Sequence, residues 1–200
     1  MRRPPTPVNV IACSIFRREI EWLQARGDLS LPFHYLDSML HMVPEKLCSL
    51  LNIRIERIRG RNGRIVLLYG ECHPAMHEQA KQNSVCRVKG VNCCEIMLGS
   101  ETYRSHLKKG AFFLLPEWVE RWETVFRKEL ALSETTAKRF MGTMHSKLLY
   151  LDTQVQPVPE ALLAEICRFT GLRWRCVSVS LNHLRDSVNR CVENMSGDGG

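Results

Sequence analysis

Four residues combine the chemistry of a soft-metal ligand with positions that a fold could gather: Cys13, His41, Cys72 and Cys93. Three thiols and one imidazole suit Zn²⁺ in a tetrahedral site, or a soft iron site. Cys72 sits in the best-marked stretch of the chain, RIVLLYGECHP from Arg64 to Pro74. Its apolar run, Ile65 to Tyr69, is short and rich in β-branched and aromatic residues, which predicts a strand buried on both faces. The run breaks at Gly70 and delivers Glu71, Cys72 and His73 together, just before Pro74, a first-turn helix residue. Cys13 closes another buried run, Val8 to Cys13. Cys93 follows a small strand at Val85 to Val88, and His41 precedes the helix opened by Pro44. In a parallel sheet the carboxyl ends of the strands gather at one edge, where ligands bind. Cys13 and Cys72 therefore share that edge, and Cys93 and His41 are expected beside them. Glu71 or Glu95 would orient His41 through its second nitrogen, and His73 is a candidate additional ligand.

The same residues have a plainer explanation. The chain has no C-x-x-C pair, and the thiols are dispersed. Cysteine is among the most buried residue types, so spacing alone favours core cysteines lining a sheet edge. Cys48 and Cys167 fall within helical periodicity and read as buried apolar residues. His73 and His77 form an H-x-x-x-H pair, but Glu78 is misplaced for the H-E-x-x-H zincin pattern, and a solvated helix face explains them better. His145, with Met141 and Met144, fits a core or interface helix end. The Walker A, G-x-G-x-x-G and G-x-S-x-G patterns are missing, which leaves nucleotide and serine-hydrolase chemistry without a motif. The corrinoid signature Asp-x-His-x-x-Gly is missing too, since Asp152-Thr153-Gln154 lacks the histidine. Cys94, His77 and His145 acquire no role.

Composition narrows the functional classes. The chain carries 28 Lys and Arg against 21 Asp and Glu, for a net charge of +7. The densest basic cluster, Arg54, Arg57, Arg59, Arg61 and Arg64, lacks the interleaved aromatics that single-strand nucleic-acid binders stack on. A solvated helix face and turn is expected there, with no nucleic-acid partner. No apolar stretch approaches the roughly 20 residues of a membrane span, and Arg17, Arg18 and Glu19 interrupt the N-terminal apolar run before it resembles a signal peptide. Nine cysteines is an odd number. Without a secretory signal, reduced thiols in a cytoplasm are expected rather than a disulfide framework.

Strand and helix patterns alternate along the chain at spacings suited to right-handed crossovers. Val8 to Ile11 and Ile65 to Leu68 are predicted to be adjacent parallel strands. LSLPFHYLD, around Pro32, reads as a loop. Residues 92 onward form either a helix capped by Asn92 or a strand-like turn. Helical segments follow at Glu117 to Leu130, Ser133 to His145, Pro159 to Phe169 and Leu181 to Val192, with strands at Ala111 to Leu115, Leu148 to Leu151 and Leu172 to Val179. The expected fold is α/β, a three-layer sandwich with a mainly parallel sheet in a single domain over 8–194. A disordered arm is expected at 1–7 and a disordered tail at 195–200. Residues 117–146 are alternatively a lobe over one edge.

The chain resembles the uncharacterised family known as domain of unknown function sixteen thirty-eight, from about Val8 to about Leu184. The resemblance rests on IACSIFRREI, LDSMLHMVPEKL, VLLYGECH, NCCEIMLGS, and GAFFLLPEW with YLDT. It implies Cys13, His41, Cys72 and Cys93 as a shared polar set, the quartet that topology also assembles, and it moves the balance toward a ligand site. His73-Pro74 departs from the family's usual glycine after the Tyr-Gly-x-Cys cysteine, and Cys94 stands where relatives often carry another residue. Such proteins often occur beside corrinoid-dependent methyltransferase systems. The resemblance thus implies one-carbon or methyl-group metabolism, a corrinoid protein or methyltransferase as partner, and a zinc or iron thiolate that holds a nucleophile ready. A non-catalytic binding or assembly module without metal is the alternative.

Overall fold

The computed structural model describes residues 7–82 and 84–197. The chain folds into two compact units. One is Leu98–Ser180, and the other takes the residues before it together with those from Leu181 onward.

The first unit is built on a four-stranded parallel sheet: β1 (Val8–Cys13), β2 (Phe33–Leu36), β3 (Arg64–Leu68) and β4 (Val85–Arg87). Val10, Ile11 and Ala12 of β1 and Ile65 to Leu68 of β3 are wholly buried, as their unbroken apolar runs predict. The two strands are neighbours and parallel, with Val8 opposite Arg64 and Ala12 opposite Leu68. Helices make the crossovers: α1 (Arg17–Ala25) leads to β2, α2 (Pro44–Arg59) to β3 and α3 (Ala75–Ala80) to β4. Pro44 opens α2, where a missing N–H costs nothing. Leu47, Leu51, Ile55 and Ile58 supply its buried stripe. The strand order is β2-β1-β3-β4. The chain winds outward from β1 in one direction to reach β2, then crosses back to β3 and continues the other way. The β1/β3 boundary is therefore the topological switch point, where a doubly wound sheet opens a crevice at its carboxyl edge.

The second unit contains α5 (Ser100–Lys108), β5 (Ala111–Leu114), α6 (Pro116–Glu120), α7 (Glu134–Met144), β6 (Lys147–Asp152), α8 (Glu160–Thr170) and β7 (Trp174–Ser178). Its three strands are parallel in the order β5-β6-β7. Ser133 caps α7 in a reciprocal capping box with Thr136, and Gly171 ends α8 in the left-handed conformation at φ 74°. Phe112, Trp122, Phe126 and Phe169 form an aromatic core. His145 meets the Phe112 ring edge-on, and burial holds its imidazole below the usual histidine value. It is a packing residue of this unit.

The α/β class and the parallel pairing are as expected, with four differences in detail. The strands divide between two sheets, because β5 pairs with β6 and not with β4. The LSLPFHYLD loop contains β2, an edge strand: the Pro32 carbonyl accepts from Val10 N–H, and Phe33 to Leu36 continue the ladder on β1. Pro32 falls just outside that ladder, where it is tolerated. The helical segment from residue 117 splits into α6 and a π-helical turn over Thr124–Glu129. Finally, residues 195–197 belong to α9 (Asn182–Gly197), which packs on β3 and β4. Residues 1–6 and 198–200, where an arm and a tail are expected, lie outside the described residues. Among the described residues no helix is long and apolar enough to cross a membrane.

Candidate thiol site at the switch point

Cys13 is the last residue of β1. Because Ala12 lies opposite Leu68, Cys13 stands level with Tyr69, one residue past β3. Cys72 follows three residues later in the turn before α3. The third thiol arrives from the far side of β4. The loop from Gly90 to Asn92 folds back onto the end of β3, where Glu71 N–H donates to the Val91 carbonyl at 2.9 Å. Gly70 permits this approach, since a Cβ there would lie 2.5 Å from Asn92 Cα and 2.8 Å from Val91 O. The guanidinium of Arg87, on β4, reinforces the junction. It donates to the Tyr69 carbonyl at 3.2 Å, to the Gly90 carbonyl at 3.1 Å and to Glu71 Oε1 at 3.3 Å.

That loop opens α4 (Cys93–Leu98), which settles the choice between helix and turn in favour of a helix. Asn92 caps it by accepting from Glu95 N–H at 2.9 Å, and the buried Glu95 carboxylate accepts from Val91 N–H at 2.7 Å. Glu95 thus holds the loop that presents Cys93.

Cys13, Cys72 and Cys93 meet here. The Cys93 thiol is hydrogen-bonded to Cys13, and that bond, with burial and the neighbouring thiols, pushes its pKa well above the ordinary value. Burial, then Cys13, pushes Cys72 from 9.0 to about 11, against the opposing influences of the Gly70 backbone and Arg87. The adjacent Cys94 is raised to about 12 by burial. Cys72, Cys93 and Cys94 are therefore neutral thiols near pH 7, and neutral thiols are poor nucleophiles. A cation would reverse this by displacing the protons.

His41 lies in the turn Ser38–Met42 at the same sheet edge, tied to the end of β1 by Ser38 N–H donating to Ser14 Oγ at 2.9 Å. His41 Nδ1 donates to the Ser38 carbonyl at 2.5 Å. In a neutral ring that bond leaves the lone pair on Nε2, the tautomer a metal ligand needs. Among the described residues, however, no group of three or more His, Cys, Asp or Glu side chains is arranged to hold a metal ion. The quartet is gathered at one edge without forming a ready coordination sphere.

The remaining candidates form a polar rim. Glu71 Oε1 lies 3.3 Å from Arg87 and 3.6 Å from His77 Nε2, and His73 Nε2 lies 3.5 Å from Glu45 on α2. His73 and His77 do not share a helix face, because α3 starts only at Ala75, after Pro74. Cys48 and Cys167 are half-buried rather than buried. Cys48 lines a small recess with Leu51, His73 and Met76. Cys86 and Cys191 are joined in a disulfide between β4 and α9, with Cα atoms 5.6 Å apart. The odd cysteine count argued against a framework of bridges and had no power to exclude a single pair.

Tyr69 is the residue that pattern reading missed. It is 2% exposed, and its hydroxyl is buried with no hydrogen-bond partner among the described residues. Burial first, then Cys13, Cys93 and Cys72, raises its pKa well above 10.0, so the ring stands among the three thiols. In the sequence it looked like the last apolar residue of a strand. Its place as the residue bordering the break at Gly70 was the available signal.

The family model described as "Protein of unknown function (DUF1638)" matches residues 35–188. The chain belongs to this family. The matched stretch contains His41, Tyr69, Cys72 and Cys93, and begins after Cys13. No curated protein and no solved structure matches the chain.

Proposed function

We propose that Cys13, Cys72 and Cys93 form a thiolate centre for a soft or borderline cation, zinc or iron, serving methyl-group transfer in one-carbon metabolism. The observation that carries this reading is the meeting of three thiols, from three separate segments, at the switch point of a doubly wound parallel sheet. That is where such folds bind ligands. The donor chemistry fits: three soft ligands stand together, with His41 at the same edge and its Nδ1 donating to the Ser38 carbonyl. A bound cation would supply the positive charge that keeps a thiolate nucleophile deprotonated near neutral pH. The chain's own residues do the remaining work. Arg87 and Glu95 hold the Gly90–Asn92 loop in place, and Gly70 gives it room. Cys13 is buried, and Cys72 and Cys93 are half-buried. The methyl-transfer part rests on the family's association with corrinoid-dependent systems, which makes a corrinoid protein or methyltransferase the proposed partner and a reducing cytoplasm the proposed setting.

A second reading, a binding or assembly module with core cysteines, is favoured by one observation: the raised thiol pKa values and the lack of a ready coordination sphere describe a stable metal-free packing. Elemental analysis of anaerobically purified protein, with an assay for acid-labile sulfide, separates the two. The thiolate centre requires about one equivalent of zinc or iron per chain. That content should be lost in Cys72→Ser and Cys93→Ser and retained in Cys167→Ser. A wild-type protein empty of metal, or equal losses in all three variants, supports the second reading.

A further inference from the structure

A disulfide closes where two thiols can bring their sulfurs to about 2.05 Å without a rearrangement of the backbone. Three observations put Cys13 and Cys93 in that class. First, the Cys93 thiol is hydrogen-bonded to Cys13, so the two sulfurs already stand side by side. Second, both backbones are held in place. Cys13 ends β1, which is laddered to β2 on one side and to β3 on the other. Cys93 opens α4 beyond the Gly90–Asn92 loop, and Glu71 N–H, Arg87 and Glu95 tie that loop down. Third, the pair has an entrance: Cys13 is buried, but Cys93 is half-buried. The same unit already carries one bridge, between Cys86 and Cys191.

We propose that Cys13 and Cys93 form a reversible dithiol–disulfide couple, oxidised by a low-molecular-weight disulfide of the glutathione type. The Cys93 sulfur gives its proton to solvent and attacks the incoming disulfide, which releases one small thiol and leaves a mixed disulfide. The Cys13 sulfur then loses its proton, attacks the Cys93 sulfur and expels the second small thiol. Two protein thiols are oxidised, one small disulfide is reduced to two thiols, and no further reactant enters. The couple makes the carboxyl edge of this sheet responsive to thiol–disulfide balance, because two of its three gathered thiols are withdrawn on oxidation and restored on reduction. It does not rest on the cation-centre reading.

The test equilibrates chelator-treated, reduced, full-length protein in glutathione buffers of stepped oxidised-to-reduced ratio. Samples are quenched with acid, alkylated and mapped by peptide mass spectrometry. Cys13 and Cys93 should lose alkylation together, at one midpoint, and yield a Cys13–Cys93 cross-linked peptide that disappears on reduction. Cys48, Cys167 and Cys176 should enter no cross-link. Cys72→Ser should keep the Cys13–Cys93 bridge and Cys93→Ser should abolish it. The proposal is overturned by glutathione adducts at Cys93 without a cross-link, by a bridge from either residue to Cys72 or Cys94, or by a Cys13–Cys93 bridge that forms only in urea. Each of these outcomes is read in the wild type, so the result does not depend on whether a variant folds. Metal content of the untreated protein is a separate measurement: an empty wild type sinks the cation centre and leaves this couple standing.

Discussion

Gly70→Ala is the sharpest structural perturbation of the site, because it adds one methyl group where the chain has no space for it. The new Cβ would lie 2.5 Å from Asn92 Cα, 2.8 Å from Val91 O and 2.9 Å from Asn92 N. All three are backbone atoms, so no side-chain rotation relieves the overlap, and the Gly90–Asn92 loop must move away from the end of β3. That movement lengthens the bond from Glu71 N–H to Val91 O and the Arg87 contact with Gly90, and it carries Cys93 away from Cys13 and Cys72. Overpacking of this kind costs about 1–3 kcal/mol. With a urea dependence of about 2 kcal/mol per M, a loss of about 2 kcal/mol lowers the denaturation midpoint by roughly 1 M. Gly142→Ala is the matched control. It lies in α7, where a Cβ would meet nothing within 4 Å, and there the substitution should stabilise by about 0.5–1 kcal/mol. Urea titrations followed by circular dichroism measure both. Reaction with a thiol reagent under native conditions should also be faster in Gly70→Ala, as Cys72 and Cys93 lose their cover. If Gly70→Ala unfolds within about 0.3 M of the wild type and its thiols react no faster, the loop does not depend on the missing Cβ and the account of how Cys93 reaches the site is wrong.

Two further outcomes follow from the same structure. The Cys86–Cys191 bridge closes a loop with a sequence separation of 105, so Cys191→Ser, or reduction of oxidised protein, should cost about 2–4 kcal/mol; unchanged urea midpoints, or nine titratable thiols in oxidised protein, would refute the bridge. The pH dependence has a definite sign. Cys72 has a folded pKa of about 11 against an ordinary 9.0, burial being the largest cause, so the folded state binds more protons than the unfolded state between those values. Stability is therefore full below pH 9 and falls as pH rises toward 11. Urea midpoints at stepped pH should show this fall, smaller in Cys72→Ser, and a flat profile in the wild type would contradict the burial of that thiol.

Local chemistry made several features legible in the sequence. The apolar runs of Val8–Cys13 and Arg64–Leu68 could only be buried strands, and the helices between them required a parallel arrangement. Pro44, Ser133 and Gly171 marked helix ends because each has an intrinsic backbone preference. The same logic placed Cys13, Cys72 and Cys93 at one sheet edge. Tertiary structure decided the rest. β2 is a strand because β1 offers it a ladder, which no property of FHYL announces. Which strands share a sheet depends on long-range pairing, and β5 turned from β4 to β6. His73 left the expected helix face because α3 begins one residue after Pro74, and it paired with Glu45 on another helix. Glu95 caps α4, and Cys86 is bridged to α9. Tyr69 joined the site because its strand ends at the switch point, where its hydroxyl is buried beside three sulfurs with no hydrogen-bond partner among the described residues. Residue type and spacing determine which groups reach an edge of the sheet. The partners they find there are set by the loops that fold back over it.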